Sequence, residues 1–144
     1  NFSPRNPIPG LNEYWFKTSV ISKKIFQIHA FNGYESYTNP PGLGNCNSLI
    51  PVMNDYNKLL NMLEAKYGDF KKTRRQVSFD PYYHYETYEF KDGNRKITLR
   101  CDERSKSYGF SLNYMDLKLS KKADEEEQEI KRKRLNEESG DYDI

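Results

Sequence analysis

The sequence predicts an α+β fold: an antiparallel sheet packed by one amphipathic helix, with a charged helix at the C-terminal end. Three observations predict it. Apolar residues recur at three- and four-residue steps between 49 and 67. They alternate at period two across most of 77–114, broken by turn residues. Beyond residue 120 most side chains are charged. The expected organisation is an extended Pro-rich leader (1–12), a single α+β domain (13–119), and a charged helix and tail (120–144).

Composition limits the alternatives. The chain has 144 residues, the size of one domain. Thirty Leu, Ile, Val and Phe residues make about 21% of it, just above the ~20% floor for folded chains. Aromatic residues at 15% and a net charge of +2 argue against global disorder. No apolar run approaches the ~18 residues of a membrane span. A helical membrane protein, a collagen, a coiled-coil rod and a disulfide-dense miniprotein are thereby excluded.

Taken in order, Pro4, Pro7 and Pro9 favour an extended segment, read as a tether outside the core. Residues 20–31 read as a strand, with Phe26, Ile28 and Ala30 on one face and Ile25, Gln27, His29 and Phe31 on the other. Asn32-Gly33 signals a hairpin returning through 34–37, which completes an N-terminal hairpin. Residues 39–45 form a Pro- and Gly-rich loop. Leu49, Val52, Met53, Tyr56, Leu59, Leu60, Leu63 and Tyr67 then line one helical face. Ser48 suits the N-cap, Pro51 the first turn and Gly68 the left-handed end.

Lys71, Lys72, Arg74 and Arg75 read as a basic link. A three-strand meander follows: 77–90 interrupted at Asp80-Pro81, 96–101 after the Asp92-Gly93 turn, and 108–114 after a polar loop at 102–107. In the last helix an acidic run at 124–129 precedes a basic run at 131–134, the order its dipole prefers. Ala123, Ile130 and Leu135 are its docking residues.

Matched catalytic groups are scarce, and the expectation is a non-enzyme without cofactor or metal. His29 lies in an apolar strand and His84 among tyrosines, both consistent with structural roles. Gly42 and Gly44 lack the context of a phosphate loop. The acidic run 124–129 lacks the alternate-position oxygens and central Gly of a calcium loop. Cys46 and Cys101 stand 55 positions apart, which leaves one disulfide or two separate buried thiols as alternatives.

Aromatic and basic residues give the functional lead. Lys106, Tyr108, Gly109 and Phe110 partly match the aromatic strand motif of RNA-recognition domains, while Ser107 and Ser111 depart from it. Period-two burial explains the same rings. The basic quartet 71–75 reads either as a contact for phosphate or an acidic partner, or as a solvated link. The candidate ligand-binding set is therefore Tyr82, Tyr83, Tyr85, Tyr108 and Phe110 with Lys71, Lys72, Arg74 and Arg75.

A helix running from Tyr56 and ending in Lys66-Tyr67-Gly68, followed by an antiparallel meander and a last strand entering a charged helix, resembles small uncharacterised bacterial exported or lipoprotein-type domains. The resemblance spans roughly 48–135 and carries no catalytic motif. It implies a location in the cell envelope or periplasm, lipid-anchored through a removed N-terminal segment, with the cytoplasm as the alternative. It also implies a non-enzymatic binding or accessory role toward a protein or glycan. Single-stranded nucleic-acid binding, through the aromatic strand and the basic link, is the second expectation.

Overall fold

The computed structural model describes residues 2–32, 35–36, 51–81, 83–104 and 107–140. Six antiparallel strands run side by side in the order β1 (Glu13–Thr18), β2 (Ile25–Phe31), β7 (Ser107–Asp116), β6 (Arg95–Arg104), β5 (His84–Asp92) and β4 (Lys71–Gln76). A two-residue strand, β3 (Glu35–Ser36), pairs with the start of β7 beyond the end of β2. Helix α1 (Pro51–Tyr67) precedes β4, and α2 (Leu117–Ser139) follows β7. The architecture is α+β, as the periodicities predict.

Residues opposite one another on neighbouring strands share a face, so register sorts the side chains. One face carries Tyr14, Ala30, Leu112, Leu99 and Tyr88 in one row, with Ile28, Tyr114, Ile97 and Phe90 in the next. Helix α1 lies on this face and buries Tyr56, Leu59 and Leu63; Leu60 and Tyr67 are half-buried at its margin. Pro51 opens the helix, where its missing N–H costs nothing. Gly68 closes it at φ +80, its N–H donating to the Glu64 carbonyl at 2.8 Å.

The N-terminal hairpin is β1–β2, which corrects the expected pairing of residues 20–31 with 34–37. The turn at 19–24 holds no Gly or Pro; Ser19 shapes it, donating its N–H to the Lys24 carbonyl at 2.9 Å while its Oγ accepts from the Lys24 N–H at 3.0 Å. Residues 71–76, read as a link, form edge strand β4. Val77 and Phe79 fall in the β4–β5 turn, closed by Val77 N–H to the Tyr83 carbonyl, and Phe79 is exposed. Strand β6 continues through the expected loop to Arg104. Helix α2 begins at Leu117, not Ser120, because Asp116 caps it by accepting from the Leu119 N–H at 2.9 Å. Ser48 and the loop 39–45 lie outside the described residues.

The Pro-rich start, expected as an extended leader outside the core, touches the domain at three of its residues. Leu11 is a core residue, Phe2 N–H donates to the Tyr14 carbonyl at 2.9 Å, and Ile8 N–H donates to the Tyr14 hydroxyl at 2.8 Å. Gly10 has φ +86, and a Cβ there would stand 2.9 Å from Cζ of the buried Phe110 and 3.0 Å from the Asp55 Cβ. Gly10→Ala is therefore expected to destabilise the domain by about 2 kcal/mol or more, combining left-handed backbone strain with overpacking. Urea unfolding of the two proteins checks this; an unchanged midpoint would return the segment to the status of a tether.

Candidate functional site

Among the described residues, no helix lies over the second face of the sheet. Helix α1 lies on the opposite face. Helix α2 runs along one end, its start bound to the β5–β6 turn through Leu117 N–H and Asn94 carbonyl, and its Glu126 bound to the β1–β2 turn. Among the described residues the middle of this face carries no helix. Its rows run Glu89, Thr98, Asn113, His29, Trp15 and Thr87, Arg100, Ser111, Phe31, Glu13. Most of these side chains are half-buried, packed against one another but not roofed.

Arg100 is the best-anchored group on this face. Its Nε lies 3.1 Å from both Asp102 oxygens and its Nη2 lies 2.9 Å from Oδ1, while Nη2 also donates to the Tyr83 hydroxyl at 3.1 Å. The Tyr83 hydroxyl donates to Asp102 Oδ1 at 2.6 Å. The guanidinium sits 4.1 Å from the Tyr85 ring centroid, a cation–π distance. Burial opposes the charge on Arg100, but Asp102 and Tyr83 outweigh it and hold the proton firmly. The result is a guanidinium fixed in place by a fork, a hydroxyl and a ring.

Across the sheet Trp15 and His29 stack at 4.5 Å and 21°, and Lys17 Nζ lies 5.7 Å from the Trp15 ring. Gln27 Nε2 donates to Asn113 Oδ1 at 2.7 Å beside them. Burial lowers the His29 pKa; a hydrogen bond with Asn113 opposes this and Lys17 reinforces it, leaving the imidazole neutral near pH 7. Among the described side chains this face holds six cations (Lys17, Lys71, Arg75, Lys91, Lys96, Arg100) and three carboxylates (Glu13, Glu89, Asp102). It is therefore net basic.

Beneath α1 the covered face ends in a buried polar cluster. The Tyr56 hydroxyl donates to Glu86 Oε1 at 3.0 Å, and Lys72 Nζ and Arg74 Nη1 approach Oε2 at 3.8 and 3.9 Å. The Glu86 side chain is 4% exposed, whereas the two cations are nearly half exposed. Desolvation, then Glu86, pushes the Tyr56 hydroxyl far above the usual tyrosine range. Glu103 is also buried and engaged, and Asn32 accepts the Phe110 N–H at 2.9 Å.

The expected ligand residues separate accordingly. Tyr83 and Tyr85 come together around Arg100. Phe110 is fully buried 5.7 Å from Tyr56, so it is a core ring with no surface to offer a ligand, a correction to its place in that set. The basic quartet is divided by strand alternation: Lys71 and Arg75 join the open face, Lys72 and Arg74 the Glu86 side. Tyr82, the Tyr108 side chain and Cys46 lie outside the described residues. Cys101 is fully buried and disulfide-bonded. Trp15, His29, Arg100 and Asp102 were absent from the expected set. Arg100 and Asp102 carry a signal, since they alternate with Leu99 and Cys101. Among the described residues no cluster of His, Cys, Asp or Glu could hold a metal ion, and no helix is long and apolar enough to cross a membrane. Comparison with protein-family models, curated proteins and solved structures finds no match.

Two outcomes follow from these geometries. Tyr56→Phe removes a buried donor to a carboxylate and should lower stability by about 1–3 kcal/mol, read as a lower urea midpoint at constant slope. The His29 ring protons, followed by NMR, should titrate below the 6.5 of a free histidine. Between the folded and unfolded values the unfolded chain binds more protons, so stability falls as pH drops from about 6.5 through the lowered value. A His29 midpoint at or above 6.5 would refute the assignment.

Proposed function

We propose that the chain is a non-enzymatic binding domain of an oxidising, envelope-type compartment, and that a protein partner docks on the open sheet face. The observation that carries this reading is the Arg100–Asp102–Tyr83–Tyr85 cluster held rigid on an unroofed sheet. Arginine and tyrosine anchor protein interfaces, and side chains already ordered lose little freedom on binding. Six strands at ~4.8 Å and about six residues at ~3.3 Å give a face of roughly 600 Å². That is the scale of the ~800 Å² each partner contributes to a stable interface.

The half-cystine at Cys101 supports the compartment. Cys46 is the chain's other cysteine, so Cys46–Cys101 is the pairing this reading requires. Disulfides persist where the surroundings oxidise. The cation excess on the open face favours a second reading, a single-stranded nucleic acid laid across Tyr83 and Tyr85.

Photo-crosslinking residues placed at Thr87 and Thr98, on the open face, are expected to give discrete protein adducts in cells, whereas Lys58 on α1 gives none. Tyr85→Ala or Arg100→Ala should abolish the adducts while leaving the thermal melt cooperative. Equal yields from Lys58, or none anywhere, would refute the docking face. Non-reducing peptide mapping should recover a Cys46–Cys101 peptide; a free Cys101 thiol in cells removes the oxidising compartment. Salt-sensitive binding of labelled single-stranded RNA, lost on Tyr85→Ala, would replace the protein partner with nucleic acid.

A further inference from the structure

We infer that the end of the sheet bearing the β1–β2 turn docks on an anionic lipid surface. Ten large hydrophobic side chains are exposed among the described residues, and five of them fall between positions 16 and 28. Ile21 is 50% exposed, Ile25 48% and Val20 37%, at or beside the tip of one turn. Phe16 and Ile28, cross-strand partners at 45% and 38%, continue the patch up the hairpin. The strand pairing shifts register at Lys17/Thr18, so Phe26 is an extra residue on β2. Phe26 lines an open hollow of about 220 Å³ with Ile25, Ile28 and Tyr114. A concentration of exposed aliphatic groups on a protruding turn is unlike the scattered hydrophobes of an ordinary surface.

Charge says what covers it. Lys23 and Lys24 belong to the same turn. On α2, Lys118, Lys121 and Lys122 fall at the spacing of one helical stripe, and they converge with Lys24 on a second hollow of about 610 Å³. Two carboxylates, Asp116 and Glu125, also line that hollow, and Asp116 Oδ1 is occupied in capping α2. The turn and the stripe are locked together: Glu126 Oε2 accepts from Ile21 N–H at 3.2 Å and Ser22 N–H at 3.4 Å. Aliphatic side chains at a tip, with five lysines on the turn and on the first turns of α2 ahead of the acidic run 124–129, match the acyl boundary and phosphate headgroups of an anionic bilayer. In this pose the strands point at the membrane and the open face stands clear of it. The inference uses a surface separate from the docking face and does not depend on it.

Flotation of the full chain with phosphatidylcholine vesicles, and with vesicles of equal phosphatidylcholine and phosphatidylglycerol, tests this. Binding is expected to the anionic vesicles alone and to weaken with added salt. It should fall about tenfold or more both in Val20→Ser/Ile21→Ser and in Lys121→Glu/Lys122→Glu, each with an unchanged circular-dichroism melt. Absence of binding to anionic vesicles overturns the inference, as does equal binding to neutral ones. Displacement by excess inorganic phosphate, with Val20→Ser/Ile21→Ser binding as well as the parent, would also overturn it by making the lysine hollow a soluble-anion site.

Discussion

Tyr56 is where helix and sheet close on each other. Its ring has no exposure and meets Phe110 at 5.7 Å and Tyr88 at 6.4 Å, edge to face. Its hydroxyl reaches Glu86, a carboxylate that the sheet buries opposite Cys101. A phenylalanine would fill the same space but leave that carboxylate with two distant, half-exposed cations as its remaining named partners. The hydroxyl thus adds a polar anchor to the position over β5 that the buried Tyr56 ring, Leu59 and Leu63 give α1. A buried ion is costly unless its lone pairs are served, which makes this end of the core intolerant of small changes.

The same constraint separates the two faces. With α1 committed to one side by Tyr56, Leu59 and Leu63, the alternate side chains of the strands have no helix over them among the described residues. The chain fills that side with a stacked Trp15–His29 pair, the Gln27–Asn113 amide pair and the Arg100–Asp102–Tyr83 cluster. Strand alternation divides neighbours in sequence: Arg74 serves Glu86 beneath the helix, while Arg75 stands on the open face one residue later. A basic run that looks like one patch in the sequence is therefore two half-patches with different duties.

Much of this was legible before any coordinates. Helix α1 announces itself through its apolar spacing and its Pro51 and Gly68 ends. Strands β6 and β7 do so through strict alternation, because one of their faces is buried by the helix and the other is not. Strand β1 escaped notice because Tyr14, Trp15 and Phe16 are consecutive rings, which hides period two when both faces take aromatics. Strand β4 escaped because an edge strand needs few apolar side chains, and the turn at 19–24 because serine hydrogen bonds shape it without glycine or proline. The Arg100 cluster depends on residues from β6 and from the segment before β5 meeting in space. The tyrosines were visible in the sequence; their convergence was not.

The two rims of the sheet are built differently. Strand β4 lines its rim with Lys71, Lys72, Arg74 and Arg75, and like charge discourages a second copy from pairing there. Strand β1 has no such guard; it has the Phe2 N–H, which occupies the Tyr14 carbonyl and leaves the outward groups farther along the strand to solvent. Among the described residues, templating of one molecule on another is thus opposed by charge at one rim and by an occupied backbone carbonyl at the other. The short segment ahead of β1, which fits against the core through Gly10 and Leu11, acts as the stopper on that side.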